Sequence, residues 1–425
     1  MNLSIRDQKL IWHPFTQAKT SSLPIPIKRA NGSYVYDEND KAYLDLISSW
    51  WVNLHGHARP EIAQAIYEQA LTLEHVIFTN FTHEPAVSLC EKLQQLLPSV
   101  FTRFFFSDNG STAIEVAIKM AYQYWWNQGK KQKTTFLSFE GSYHGDTFGA
   151  MSIGGSHFHK VYQKLFFKTL KIPYPATWKN DQDIEEKEAF SLKILSETLA
   201  KHAKHIAAFV IEPLVQGSSG MRMARAKFVK QAVEIAKAHD ILIIFDEVMT
   251  GFGRTGTNFA LEQVDVIPDI LCLAKGLTGG FLPLALTITH ERIFEAFLDE
   301  RFEKALIHGH SYTANPLGCA AAIASLDLLE KAKESISMLA FEHKTGLKRL
   351  AQETTSTTRI RNLGTIAAFD INGKDVSQHL KATFQEHGLL LRPLGNTIYM
   401  VPPYCVTQEQ IRNTYDKVID ICNEL

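Results

Sequence analysis

Short apolar runs alternate with helical patterns between about residues 101 and 290, and this alternation constrains the fold more than any other feature of the chain. The runs are bounded by polar turns and lie at 104–106, 135–137, 208–211, 241–245 and 270–273. Runs of this kind suit strands that are buried on both faces, as in a mainly parallel sheet with crossover helices. The sequence therefore predicts an α/β domain.

The pattern changes after about residue 330, where a long helical segment runs through Glu353. Shorter elements are expected after it, namely strands at 366–371 and 398–401 and a helix at 376–387. Thr407 and Gln410 have the Thr-x-x-Gln spacing of a capping box, which predicts a last helix. This part of the chain therefore indicates a smaller α+β unit.

The chain has 425 residues, of which 45% are hydrophobic, and this is enough apolar material for more than one core. No internal repeat divides it, so we expect one integrated molecule. Its expected regions are an N-terminal segment that joins the smaller domain, 1–55, a large domain with the mainly parallel sheet, 56–330, and the smaller α+β domain, 331–425.

Charge and composition argue against several classes of function. Lys and Arg total 44 against 45 Asp and Glu, and the basic residues form no long run, so we expect neither nucleic acid nor an anionic membrane as partner. The start of the chain lacks a basic-then-apolar signal, and no apolar stretch reaches the roughly 18 residues that a spanning helix needs. A cytoplasmic protein that binds small molecules is expected.

Cysteine and histidine spacings indicate neither a disulfide framework nor a metal site. The five cysteines are scattered, form no C-x-x-C and are expected to be reduced and mostly buried: Cys90, Cys272, Cys319, Cys405 and Cys422. Three histidine pairs have no obvious third ligand nearby: His55/His57, His157/His159 and His308/His310. We therefore expect no metal.

Ligands of open α/β sheets collect at the carboxyl ends of the strands, so polar residues that follow the apolar runs are the candidates for a site. Gly110, Ser111 and Thr112 lie between the first run and a helix that begins near Ala113. Free amides at a helix N-terminus favour a phosphate, and Gly110 permits close approach of the backbone. An ordinary N-cap without a ligand is the alternative.

Three more candidate places, with four residues, follow the later runs. Asp246 ends 241–245, and a buried carboxylate needs a cationic or hydrogen-bonding partner, whether a ligand or a structural ion pair. Lys275 follows 270–273, where desolvation would lower its pKa, as a Schiff-base lysine requires, unless the amine simply reaches water. Tyr143 and His144 add an aromatic face and a titratable ring, although each could be an ordinary core residue.

A glycine pattern suggests a different cofactor. Gly251 to Gly256 match G-x-G-x-x-G, and Asp269 lies 18 residues beyond Gly251, close to the spacing of a ribose-binding acid. A dinucleotide loop, however, follows its strand directly and opens a helix, whereas Arg254 to Asn258 make a poor helix start. An NAD-dependent oxidoreductase is therefore only a distant alternative.

Taken together, Asp246, Lys275 and the Gly-Ser-Thr turn resemble the class III, pyridoxal-phosphate-dependent aminotransferases of fold type I. The similarity extends over nearly the whole chain, in the segments SDNGSTAIEVAIKMAYQYW, YHGDTFGAMS, VIEPLVQG, IIFDEVMTGFGRTG, DILCLAKGLTGG and HGHSYTANPLGCAAA. Three further segments resemble the subfamily that uses S-adenosylmethionine to aminate 8-amino-7-oxononanoate in biotin biosynthesis: IWHPFTQ, SSWW and LRPLGNTIYMVPPY.

The resemblance implies roles for the residues that match the family's motifs. Lys275 would hold pyridoxal phosphate and then move the proton between substrate and cofactor, while Asp246 would pair with the ring nitrogen. Tyr143 would stack on the ring, and Glu212 would lie beside it. The phosphate would be bound by Ser111 and Thr112, together with His310 of the partner subunit and Ser311 of the partner subunit, because the family forms homodimers.

For the keto acid, the resemblance implies contacts with Phe15, Trp50, Trp51, Tyr143, Lys275, Gly309 and Arg392. A nine-carbon chain with one carboxylate suits an aromatic channel that ends in a fixed arginine, although the two tryptophans could be core residues. Phe15 stands where some relatives carry a tyrosine that bonds the substrate, and Ser311 stands where relatives often have threonine.

The nearest alternative is another class III ω-aminotransferase, acting on ornithine, 4-aminobutyrate or a diamine. A protein that binds the cofactor without turnover is a further alternative, although the intact lysine and aspartate argue against it.

Overall fold

A seven-stranded sheet forms the centre of the computed structural model, which describes residues 2–373 and 376–425 except for the side chain of His157. In spatial order the strands are β4 (Phe101–Ser107), β12 (Ala285–His290), β11 (Ile270–Leu273), β10 (Leu242–Asp246), β7 (Ile206–Ile211), β5 (Thr135–Phe139) and β6 (Thr169–Ile172). Neighbours from β11 to β6 pair in parallel, whereas β12 is antiparallel to both of its neighbours. The predicted mainly parallel sheet is confirmed.

All five apolar runs of the sequence lie in this sheet, and every residue of β7, β10 and β11 is buried. Strands β6 and β12 were not predicted, and β12 lacks a continuous apolar run because it carries buried threonines. The Thr287 hydroxyl donates to the Ala113 carbonyl at 2.8 Å, and the Thr289 hydroxyl donates to the Asp269 carbonyl at 2.8 Å. Since both hydroxyls have partners, the strand can be buried without leaving polar groups unsatisfied.

Helices cover both faces of the sheet, as crossover connections require. The helices are α1 (Leu3–Leu10), α2 (Ser48–Trp51), α3 (Pro60–Thr72), α4 (Glu84–Leu96), α5 (Gly110–Asn127), α6 (Phe148–Ile153), α7 (Ile184–His202), α8 (Ala226–Ala238), α9 (Ala260–Val264), α10 (Glu291–Glu295), α11 (Pro316–Lys331), α12 (Lys333–Glu353), α13 (Ser377–Glu386) and α14 (Gln408–Asn423). Short 3₁₀ helices lie at His157–Leu165, Ala203–His205, Lys275–Thr278 and Phe302–Lys304. Helix α5 packs on β11 and β12, and α8 packs on β10.

Three smaller sheets complete the fold. They are formed by β13 (Thr357–Leu363), β14 (Ile366–Ile371) and β16 (Thr397–Met400); by β1 (Ile27–Asn31), β2 (Tyr34–Asp37), β3 (Ala42–Asp45) and β15 (Leu389–Leu390); and by β8 (Val215–Gln216) and β9 (Arg222–Met223). Strand β3 pairs in parallel with β15, so the N-terminal segment contacts the C-terminal part of the chain. The domain boundaries themselves stay a prediction.

The predicted C-terminal capping box is confirmed. The Thr407 hydroxyl accepts from the Gln410 amide at 3.2 Å, and the Gln410 side chain accepts from the Thr407 amide at 2.8 Å.

All five cysteines are free, and three of them are buried. Within residues 2–373 and 376–425, no helix combines the length and the apolar character needed to cross a membrane.

Candidate active site

The carboxyl ends of β4, β5, β7, β10 and β11 meet at one edge of the central sheet, and a cavity of about 700 Å³ lies there. Of the candidate residues from the sequence, eight line this cavity: Trp51, Gly110, Ser111, Tyr143, His144, Glu212, Asp246 and Lys275. The loops after five separate strands therefore bring an amine, two carboxylates and a helix N-terminus to one place, as expected for open α/β sheets.

Lys275 begins the 3₁₀ turn that follows β11, and its backbone is left-handed, with φ of 48°. Its amine lies 4.6 Å from the centre of the Trp51 ring. Burial lowers the pKa of Lys275 to about 8, against the opposing attraction of Asp246 and Glu212. About half of the amine is therefore in its neutral, nucleophilic form near pH 8, a far larger share than an ordinary lysine offers there.

Asp246 is the last residue of β10, and it has two partners within the chain. His144 Nδ1 donates to Asp246 Oδ2 at 2.7 Å, and the Val248 amide donates to Asp246 Oδ1 at 3.1 Å. The His144 side chain is completely buried. The sequence placed His144 at this sheet edge without giving it a role, and its position directly after Tyr143 was the available signal. The carboxylate is thus fixed beside the cavity.

Glu212 directly follows β7 and joins two loops of the site. Its Oε1 accepts from the Tyr143 amide at 2.9 Å, and its Oε2 accepts from the Gly217 amide at 3.2 Å. Burial, together with the negative charge of Asp246, raises the pKa of Glu212 to about 8. Glu212 therefore shapes the cavity wall through its backbone partners, without adding a full negative charge near neutral pH.

The Tyr143 ring is oriented by a short polar network. Its hydroxyl donates to Asp146 Oδ2 at 2.8 Å, and the other oxygen of Asp146 accepts from His159 Nε2 at 2.9 Å. The rings of Tyr143 and His159 are stacked, with centres 5.6 Å apart. Burial, followed by the hydrogen bond to Asp146, raises the pKa of Tyr143 well above its usual value. The phenol therefore stays protonated in the physiological pH range.

At the start of α5 the structure shows an N-cap, and the phosphate-binding role of the Gly-Ser-Thr turn stays a prediction. The Asn109 side chain accepts from the Thr112 amide, and the Thr112 hydroxyl accepts from the Asn109 amide, each at 3.1 Å. The Thr112 hydroxyl thus belongs to a capping box, while Gly110 and Ser111 line the cavity. The Ser111 hydroxyl also accepts from the Thr147 amide at 3.0 Å.

Three other candidates for substrate contacts, Phe15, Trp50 and Arg392, form a group outside the cavity wall. The Arg392 guanidinium lies 4.4 Å from the centre of the Trp50 ring, and the Phe15 ring centre lies 5.7 Å from that of Trp50. Trp50 is 39% exposed, so the alternative that it is a core residue is wrong. Trp51 is buried but faces the cavity.

Gly309, His310 and Ser311 do not line the cavity of their own chain. His310 Nε2 lies 3.4 Å from Asp108 Oδ1, and Asp108 does line it. The predicted contacts of these residues with phosphate or substrate therefore stay predictions.

The glycine pattern at 251–256 does not open a helix, because α9 begins only at Ala260. Arg254, which lies within this glycine pattern, is fully buried. Its guanidinium donates to the Pro402 carbonyl at 2.7 Å and to the Ser48 hydroxyl at 2.8 Å. Through Arg254 the loop is hydrogen-bonded to the N- and C-terminal segments, and it lacks the geometry of a dinucleotide site.

In the part of the chain that the structure describes, no three His, Cys, Asp or Glu side chains are grouped so that they could hold a metal ion. His157, a member of one predicted pair, has its side chain outside the described residues.

Comparisons with known proteins agree with this geometry. The family model for class III aminotransferases matches residues 15–422. The adenosylmethionine-8-amino-7-oxononanoate aminotransferase of Synechococcus elongatus is 47% identical over 422 residues, which cover 98% of this chain and 99% of that protein.

Two solved structures have the same fold over nearly their whole length. The adenosylmethionine-8-amino-7-oxononanoate aminotransferase of Methanocaldococcus jannaschii superposes with a TM-score of 0.92 at 36% identity, covering 99% of this chain and 98% of that one. An amine transaminase from an uncultivated Pseudomonas species, in its PLP-bound form, gives 0.91 at 29% identity, covering 97% and 99%. The fold, the cavity and these matches together lead to one assignment: the chain belongs to the class III aminotransferases.

Proposed function

We propose that this chain transfers the amino group of S-adenosylmethionine to 8-amino-7-oxononanoate, with pyridoxal phosphate as cofactor, and so forms 7,8-diaminononanoate. The donor would leave as the corresponding 2-oxo acid. The observation that carries the proposal is the meeting of Lys275, Asp246 and the start of α5 in one cavity. The substrate pair is supported by full-length relatives that are named for it, at 47% and 36% identity.

The residues of the cavity fit pyridoxal phosphate by their chemistry. An aldehyde needs a neutral amine, and burial lowers the pKa of Lys275 to about 8. A protonated ring nitrogen needs a fixed carboxylate, which Asp246 supplies with both oxygens already oriented. A phosphate needs free amides at a helix N-terminus, and Gly110 and Ser111 present that end of α5 to the cavity.

Each of these residues has a separate task in transamination. When bound, pyridoxal phosphate supplies an electron-poor ring that accepts the electron pair left on the substrate carbon. Lys275 Nζ, in the neutral form that its lowered pKa makes available, would accept the proton from the substrate carbon and carry it between substrate and cofactor. Asp246 would hold the proton on the ring nitrogen by pairing with it, and His144 keeps Asp246 oriented. The Trp51 ring lies against the Lys275 amine and excludes water from that side of the amine.

A homodimer is part of this proposal. Gly309, His310 and Ser311 lie in the irregular segment between the 3₁₀ helix Phe302–Lys304 and α11, outside the cavity of their own chain. A second copy would allow His310 of the partner subunit and Ser311 of the partner subunit to reach the phosphate. Light scattering of the purified protein should give twice the mass of 47.9 kDa, and a strictly monomeric active enzyme would contradict this part. A cytoplasmic location stays a prediction.

The substrate assignment is tested by product analysis. Purified protein loaded with pyridoxal phosphate should aminate 8-amino-7-oxononanoate when S-adenosylmethionine is the donor. In parallel, ornithine, 4-aminobutyrate and a diamine are offered with 2-oxoglutarate as acceptor. Product in these parallel reactions, with none from the nine-carbon acid, would assign the chain to another ω-aminotransferase activity.

The lowered pKa of Lys275 predicts the pH dependence of cofactor uptake. Burial disfavours the ammonium form, so the Lys275 amine becomes mostly protonated only below about pH 8. An ordinary lysine, with a pKa of 10.5, is already mostly protonated below pH 10.5. The rate at which cofactor-free protein takes up pyridoxal phosphate should therefore rise up to about pH 8 and then level off. Stopped-flow absorbance measures this rate, and a continued rise up to pH 10 would contradict the assignment.

Arg392→Ala is expected to weaken binding of the keto acid by roughly 2 kcal/mol or more, because the carboxylate of the acid loses a bidentate partner. The half-reaction with the amino donor should change little. Single-turnover spectra of each half-reaction separate the two effects. The guanidinium stacks on Trp50, so Arg392→Lys is the matched variant that keeps the charge but loses the planar fork. Equal damage to both half-reactions would indicate a structural role.

A further inference from the structure

The turn α2 has an unusual backbone. Ser48, Ser49, Trp50 and Trp51 all have positive φ, at 48°, 53°, 100° and 71°. None of the four is glycine, and residues with a Cβ avoid this left-handed region because the side chain crowds the following carbonyl. Such a run persists only where the surrounding structure holds it, and runs of this kind occur at functional sites.

One buried carboxylate holds the turn. Asp45 is 0% exposed, and its Oδ1 accepts from the Ile47 amide and the Ser49 amide, each at 3.1 Å. Its Oδ2 accepts from the Ser49 hydroxyl at 2.9 Å and from His57 Nε2 at 2.9 Å. Asp45 therefore fixes both the backbone and the side chain of Ser49, in the middle of the strained segment.

His57 is oriented so that it can make this bond. The Asn53 side-chain amide donates to His57 Nδ1 at 3.2 Å, which leaves the proton on Nε2, facing Asp45. The Asn53 side-chain oxygen accepts from the Gly56 amide at 2.8 Å. At the start of the turn, the Ser48 hydroxyl donates to the Val401 carbonyl at 2.7 Å. The turn is thus tied on several sides, and Asp45 is the centre of the network.

The turn places two adjacent indoles against the two cations of the site. Trp51 lies against the Lys275 amine, at 4.6 Å from the ring centre. Trp50 lies against the Arg392 guanidinium, at 4.4 Å. A change in the backbone of the turn would move both rings at once, because they are consecutive residues.

We propose that Asp45, assisted by His57, is a positioning residue that holds this left-handed turn so that Trp50 and Trp51 shape the channel for the keto acid. The proposal rests on the proposed function for the identity of that acid. Asp45 touches neither the cavity nor the two cations, and it acts only through the turn.

Asp45→Asn removes the charge and one acceptor of the network. The KM for 8-amino-7-oxononanoate is expected to rise by about tenfold, with a smaller change in kcat, since several hydrogen bonds of a buried charged group are lost. Asp37 offers a matched control. It is also buried, and it accepts from the Asn39 and Lys41 amides, each at 2.9 Å, in a turn away from the cavity. Asp37→Asn should leave the KM unchanged.

Ser49 provides a second pair of variants, in case Asp45→Asn does not fold. Ser49→Ala and Ser49→Gly both lose the bond to Asp45 Oδ2, but only glycine takes φ of 53° without steric cost. Ser49→Ala should therefore raise the KM several-fold more than Ser49→Gly. The proposal is overturned if Ser49→Ala is folded and loaded with cofactor but keeps a KM within about twofold of that of the unmodified protein. The same limit applies to Asp45→Asn if that variant folds.

A measurement without turnover separates this inference from the proposed function. Near-ultraviolet circular dichroism of the cofactor-free protein reports fixed indoles, and the Trp50→Phe and Trp51→Phe variants identify their bands. Asp45→Asn should lose those bands, whereas Asp37→Asn should keep them. If the unmodified protein does not aminate the nine-carbon acid, the proposed function fails, and the dichroism alone decides on Asp45: retained bands in Asp45→Asn would overturn the inference.

Discussion

Lys275→Ala is expected to lower turnover by at least about a thousandfold while the protein remains folded and still binds pyridoxal phosphate without a covalent bond. A positioned acid–base group contributes a factor on the order of 10² to 10⁴, and this lysine also supplies the amine that reacts with the aldehyde. The substitution removes an ammonium that burial already disfavours, so the fold should not suffer. Steady-state rates and the visible spectrum of the variant measure both effects.

Lys133 is the matched control for this variant. Burial also lowers its pKa to about 8, but its ammonium donates to the carbonyls of Ile206 and Asp240, away from the cavity. Lys133→Ala should lower the melting temperature and leave the cofactor spectrum intact. A near-normal rate for Lys275→Ala would mean that the lysine has been assigned wrongly.

Asp246→Asn should reduce kcat by about a hundredfold to a thousandfold, which is the usual scale for the loss of one preorganised electrostatic partner. Asparagine has nearly the same shape, but it cannot keep a ring nitrogen protonated. The KM for either substrate should change far less than kcat, because the carboxylate acts on the cofactor. Single-turnover kinetics would show the loss in both half-reactions, in contrast to the one-sided effect expected for Arg392→Ala.

The same sheet contains a control for Asp246. Asp269 is also 6% exposed, but it precedes β11 and so lies at the opposite edge of the sheet. Its carboxylate accepts from the Ile243 amide at 2.8 Å and pairs with Arg292. Asp269→Asn should lower stability and leave kcat nearly unchanged. If the two variants lost activity equally, the effect of Asp246→Asn would come from the fold and not from the cofactor.

Much of the central sheet could be predicted from the sequence, because strands buried on both faces appear as continuous apolar runs. Strand β12 could not, since its buried threonines bond carbonyls that are distant in the sequence. In the site, Asp246 and Lys275 were identified by their places after such strands. The capping role of Thr112 depends on its rotamer, which sequence spacing does not determine.

Two features of the site depend on contacts that no local pattern encodes. Arg254 lies within a glycine-rich loop, yet it is buried by segments more than a hundred residues away in both directions. The left-handed turn of the two tryptophans runs against the preference of every residue in it, so local propensity predicts the opposite backbone. Both cases arise where tertiary contacts outweigh local preference, which is common at functional sites.

Lys275 is expected to form the covalent bond to pyridoxal phosphate in the cavity that it shares with Asp246. Borohydride reduction of the cofactor-loaded protein, followed by proteolysis and mass spectrometry, tests it directly. We predict a single pyridoxyl-phosphate adduct, on the peptide that contains Lys275, and its absence when Lys275→Ala is treated in the same way. An adduct on another lysine, or no adduct on a protein that still turns over substrate, would contradict the claim.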